Sequence, residues 1–71
     1  MRPQTLYLQI YTASLGRNWA RQLADILNIS EPTAYALNNG RRNITPEQAD
    51  MLHNATDGLC NREMLIWGNV T

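Results

Sequence analysis

The sequence has no lysine and no phenylalanine, and it holds a single cysteine, Cys60, and a single histidine, His53. One cysteine cannot close an internal disulfide, and one cysteine with one histidine cannot assemble a closed zinc site. Cys60 therefore reads as a small, partly buried apolar residue, and His53, with no partner at a motif spacing, as a histidine on a helix surface. Long apolar runs are missing too. The longest, Met64 to Trp67, is far too short to span a bilayer. The N-terminus lacks the basic segment and apolar run of a secretion signal, so the chain reads as cytosolic with no membrane role. There is no glycine-rich phosphate loop, no His/Cys/Asp cluster and no nucleophile signature, and Ser14 and Ser30 are explained by helix ends. An enzyme, a cofactor, a metal and a small-molecule ligand are all unexpected.

What is present suits one domain. The chain of 71 residues is 44% hydrophobic and 17% charged, an ordinary globular composition. This length is near the limit at which a single core offsets conformational entropy, and such chains often lean on a partner subunit. The net charge is zero, which argues against indiscriminate binding to nucleic acid. The distribution is uneven. Residues 17–42 carry Arg17, Arg21, Arg41 and Arg42 against Asp25 and Glu31, whereas residues 43–71 carry Arg62 against Glu47, Asp50, Asp57 and Glu63. All six cations are arginine, a bias that suits forked contacts to phosphate or guanine as well as ordinary ion pairs.

No repeat or linker interrupts the chain, and stop and start signals divide it into about five short helices, an all-α compact bundle. Pro3 suits a first helical turn, and Leu6, Ile10 and Ala13 recur at spacings of four and three, predicting a first helix from about Gln4 to Ser14 that ends before Gly16. Asn18 reads as the N-cap of a second helix whose apolar stripe is Trp19, Leu23 and Leu27, widened by Ala20 and Ile26. Asn28 and Ile29 make a turn, Ser30 caps a third helix that tolerates Pro32 and runs to about Asn38, and Asn39-Gly40 provides a left-handed exit. Thr45-Pro46-Glu47-Gln48 is a capping box opening a fourth helix, from Pro46 to about Ala55. Asp57-Gly58 stops it, and Asn61 caps a fifth, Arg62 to Trp67.

The segment LADILNISEPTAYALNNG, Leu23 to Gly40, has the pattern of two short helices meeting steeply across a tight turn. Ala24 must be small for the helices to approach, Ile29 must turn inward, and Ala34 and Leu37 mark the buried side of the third helix. These residues resemble the helix-turn-helix of phage repressors of the Cro and cI kind. The likeness extends through ATDG and NREML to small Cro-like and YdaS-like regulators, covering about residues 5–67. It departs at Asn28, where the family often has glycine, and at Ala34, where valine or isoleucine is common.

The resemblance implies a lambda repressor-like fold with its helix-turn-helix over about Trp19 to Asn39, and a third helix that reads DNA. Helical geometry separately puts Pro32, Tyr35, Ala36 and Asn39 opposite the buried side, flanked by Glu31 and Thr33. That stripe is uncharged, with an aromatic and two small apolar members, as suits a face that leaves water on binding. Asn39, if helical, can pair with adenine, Ala36 and Pro32 can meet thymine methyl groups, and Glu31 can accept from cytosine. Tyr35 can stack on the backbone or donate to phosphate. Arg17, Asn18, Arg21, Ser30, Arg41 and Arg42 are expected to position the module on phosphates of double-stranded DNA.

The expected role is that of a Cro-like repressor acting as a homodimer on a palindromic operator. Residues 61–71 are the expected dimerisation segment, because Leu65, Ile66 and Trp67 are three large apolar groups in succession and a short helix buries only one side. The alternative is that this helix folds back over the first and fourth with Trp67 filling the monomer core; Trp19 and Trp67 both read as packing residues. Two other roles stay open: an antitoxin-like or chromosomal autoregulator, and a protein-interaction module using the same helix pair, which the zero net charge favours.

Overall fold

Capping chemistry sets where the helices begin. The computed structural model describes residues 2–69 and contains α1 (Pro3–Ala13), α2 (Trp19–Leu27), α3 (Glu31–Asn38), α4 (Pro46–Ala55) and α5 (Arg62–Trp67), with a 3-10 turn at Gly16–Asn18 and no strand among the described residues. The all-α expectation is met. The Ser30 side chain accepts from Thr33 N–H, Asn61 from Met64 N–H, and Thr45 and Gln48 form the reciprocal capping box. Asn18 differs. Its side chain makes no capping bond, because the 3-10 turn runs directly into α2 and holds its ψ at 19°, whereas the working caps are extended (ψ 158° at Ser30, 159° at Thr45). An extended cap is what aims the side chain at the free N–H groups of the first turn.

Asn28 ends α2 in the left-handed region, φ 56° and ψ 49°, and Ile29 N–H then bonds back to the Ala24 carbonyl. Asparagine is among the few non-glycine residues that adopt this conformation readily. The tight corner lets Leu23, Ala24, Leu27, Ala34 and Leu37 pack in one core with Leu8, Ala49, Leu52, Cys60 and Leu65, and Ile29 is half-buried against it.

The first helix presents the reverse of its expected face. Its buried residues are Thr5, Leu8 and Thr12, while Leu6 and Ile10 of the apolar stripe are 51% and 65% exposed. Close polar packing of α1 on the end of α3 decides the matter. The Thr12 hydroxyl donates to Asn38 Oδ1 at 2.8 Å and Gln9 Nε2 donates to the Asn38 carbonyl at 2.9 Å. Thr5 lies so close to Gly40 that a Cβ there would sit 3.4 Å from its hydroxyl.

At the other end α5 docks on α1. A Cβ on Gly68 would stand 2.8 Å from Pro3 Cβ, and Gly68 has φ +78°. Leu65 is 2% exposed and belongs to the core, so it is not available to a partner as expected of a dimerisation residue. Ile66 is half-buried against the same core, and Trp67 is 65% exposed rather than filling it. Leu65 takes the one inward position that a helix of this length offers. Of the expected 61–71 segment, Val70 and Thr71 lie outside the described residues.

Polar bonds fasten the loop between α4 and α5. His53, half-buried rather than a surface residue, has Nδ1 2.9 Å from the Cys60 carbonyl, so that nitrogen must carry the hydrogen. The Thr56 hydroxyl accepts from Cys60 N–H, and the Tyr7 hydroxyl accepts from Asn61 N–H at 2.8 Å. Burial pushes the Cys60 thiol above its ordinary range, with the Thr56 hydrogen bond pulling weakly the other way. Burial, and after it the nearby Cys60, raise the Tyr11 phenol. Both groups favour the neutral form in the folded state. Their contribution is fully present below the unfolded thiol range and is lost as pH rises through the folded values. Thermal denaturation is expected to give a melting temperature that falls above about pH 8.5, and Cys60→Ala should lessen that alkaline slope.

Candidate nucleic-acid interface

The exposed side of α3 follows from the burial of the other side. Ala34 is fully buried and Leu37 is 3% exposed, which turns Glu31, Pro32 and Tyr35 outward. Tyr35, 53% exposed, does not stand free: the Trp19 ring meets it edge-on, with centroids 4.8 Å apart and planes at 71°. Such a contact is worth about 0.5–1.5 kcal/mol beyond burial. Trp19 thus braces the aromatic member of the stripe, besides packing on the core.

Other members are more engaged than expected. Ala36 is half-buried, since the following loop folds back and Arg42 N–H bonds to its carbonyl. Thr33 is half-buried, its hydroxyl 2.9 Å from that of Ser30, whose oxygen also caps the helix. Asn39 is exposed but is the C-cap, not a helical residue, with φ −98° and ψ 3°. Its Oδ1 accepts from Arg41 N–H at 3.1 Å. The condition set for adenine pairing, a helical Asn39, is therefore not met, and the side chain shapes the loop that carries Arg41 and Arg42.

The arginines divide into two groups. Arg62 is paired with both Asp50 and Glu63 in the acidic half of the chain. Arg2, Arg17, Arg21, Arg41 and Arg42 are exposed and form no ion pair among the described residues. Arg17 and Asn18 lie on the 3-10 turn and Arg21 on the first turn of α2, while Arg41 and Arg42 follow α3. Among the described residues ion pairing therefore engages one arginine and leaves the other five without an acidic partner, despite the zero net charge.

Arg2 is the residue that sequence reasoning missed. Its Nη2 donates to the Gly40 carbonyl at 3.1 Å, and with Thr5, Asn39 and Gly40 it lines an open hollow of about 430 Å³ beside the Arg41-Arg42 loop. The contact spans 38 residues, and no local pattern announces it. No family model, curated protein or solved structure matches the chain. Among the described residues no helix is long and apolar enough to cross a membrane, and no three His, Cys, Asp or Glu side chains gather where they could hold a metal ion.

The arrangement can do two things chemically. Glu31 and Tyr35 offer an acceptor and an aromatic hydroxyl on a protruding face, suited to base edges or sugar-phosphate. The free guanidiniums at the two ends of the helix pair offer forked donors that suit phosphate oxygens.

Proposed function

We propose that the protein is a sequence-specific DNA-binding regulator, a cytoplasmic Cro-like repressor that binds double-stranded DNA as a homodimer, with α2 and α3 as its helix-turn-helix. The observation that carries this reading is Tyr35, braced by Trp19 on the outward side of α3 and flanked at both ends of the helix pair by arginines that form no ion pair among the described residues. Glu31, Pro32 and Tyr35 read the major groove, and Arg2, Arg17, Arg21, Arg41 and Arg42 hold phosphates. One short helix covers too few base pairs for a useful specificity ratio, and a twofold dimer sets two such helices about 34 Å apart. A protomer measuring 31 × 26 × 21 Å is of the size that allows this spacing when two copies sit side by side.

The test begins with selection of bound sites from random duplex DNA. Tyr35→Ala should then bind the selected site more weakly by about 10- to 100-fold per half-site while keeping its helical content. Equal binding by the variant and the parent would remove α3 as the reader. The zero net charge favours a second reading, a protein-interaction module. Such a module would show neither duplex binding nor salt dependence in the same titration.

A further inference from the structure

We propose that the outward face of α1, with Leu59, is the surface by which two copies of this chain associate. The proposal rests on the dimer part of the reading above and on none of its DNA part. Leu6 and Ile10, one turn apart on α1, are 51% and 65% exposed, and Leu59 is 74% exposed. Ile10 and Leu59 line one shallow cleft of about 270 Å³ with Tyr7, Tyr11, Ser14 and Cys60. Ala13 continues the stripe at the exposed end of the helix. These are the residues whose spacing suggested a core face, and they are left uncovered because Thr5, Leu8 and Thr12 take the inward side.

Charge selects the occupant. From Pro3 to Gly16 the chain has no ionisable acid or base other than the two tyrosines. The acidic group nearest Leu59 in sequence is Asp57, beyond Gly58 and exposed at the edge. A charged partner would find nothing on this face to pair with, whereas a twofold copy meets an uncharged surface with no like-charge repulsion. Area agrees with that choice. Leu6, Ile10 and Leu59 leave free on the order of 400 Å², the size of the largest apolar patch on a typical monomer. With Pro3, Ala13 and the tyrosine edges, two copies would bury roughly 1,000 Å² in all, the lower limit of a specific interface. An interface of this size belongs to the weak, transient class, and the second copy supplies the apolar side chain that fills the cleft.

Sedimentation equilibrium of the whole chain without DNA tests this. The parent is expected to dimerise at micromolar concentration. Ile10→Glu should weaken association about 100-fold, because each dimer would bury two facing carboxylates, and should keep the parent's helicity and, at concentrations where both are monomeric, its melting temperature, since the residue is largely exposed in the protomer. Mixing Ile10→Glu with Ile10→Arg should restore a dimer. If Ile10→Glu lost helicity, Leu59→Ser, in the loop, would read the same contact. A parent monomeric up to about 100 μM overturns the proposal, since even a weak specific contact of this area would register there. So does a dimer that survives Ile10→Glu or Leu59→Ser in folded form, or one lost only in Trp67→Ser, which would put the contact at the end of α5. A parent that dimerises but binds no selected duplex overturns the DNA reading and leaves this one standing.

Discussion

Leu23→Ala is expected to destabilise the protein by about 2–5 kcal/mol, the range for a buried leucine truncated without full collapse of the site. Leu23 is fully buried, on the helix that packs against both α3 and α4, so neither neighbour can move into the void without giving up its own contacts. A domain of this size has roughly 4–10 kcal/mol in total, so the single change removes a large share of it. Urea denaturation should show a much lower midpoint with an unchanged slope, and at low stability the variant would be partly unfolded at physiological temperature. Leu6→Ala removes the same atoms from a side chain that is 51% exposed, and at a protein concentration low enough to keep the chain monomeric should alter stability by about 0.5 kcal/mol or less. Equal effects at the two positions would mean that α1 buries Leu6 after all.

That pair of substitutions also marks where the sequence is legible. Helix positions were readable because their signals are local: Thr45 with Gln48, Ser30 before Pro32, Asn61 before Arg62, and the left-handed Asn28 each act within one turn. The core of the helix pair was readable because Leu23, Leu27, Ala34 and Leu37 follow helical periodicity. The inward face of α1 was not, since the better apolar stripe lies on the outside and the choice is made by Thr5 and Thr12 against Gly40 and Asn38, far along the chain. Arg2 escaped for the same reason. Asn18 misled because its residue type favours capping while its backbone, set by the preceding 3-10 turn, does not permit it. Asn39 likewise looked like the last member of a reading face, but the helix ends one residue earlier and turns its amide toward Arg41. On α1 and at Asn18 and Asn39 the local preference was real, and a contact or a backbone angle fixed elsewhere decided the outcome.

The Arg2 contact leads to the other large expected effect. Replacing Arg2, Arg41 and Arg42 together by alanine should lower the slope of log affinity against log salt by about 2.7 per bound protomer, hence about 5.4 for the homodimer, and weaken duplex binding several hundredfold per protomer at about 0.1 M salt, because each phosphate contact releases about 0.9 counterion. All three side chains are exposed and free of ion pairs among the described residues, and Arg2 is held beside the other two by the Gly40 carbonyl. The loss should fall on all sequences alike, leaving the ranking of sites unchanged, since phosphate contacts carry register and not base identity. Arg62→Ala is the control: it changes the net charge but removes a cation already paired with Asp50 and Glu63, and should leave the slope as it is. Titrations of a selected site and of mixed duplex at several salt concentrations separate the outcomes. A slope lowered by only about 1.8 per protomer, the value for two contacts, would assign Arg2 to holding the Gly40 turn and not to phosphate. A changed site ranking would instead put Arg41 or Arg42 into a groove, against the positioning role assigned to them, and an unchanged slope would remove this end of the helix pair from the interface altogether.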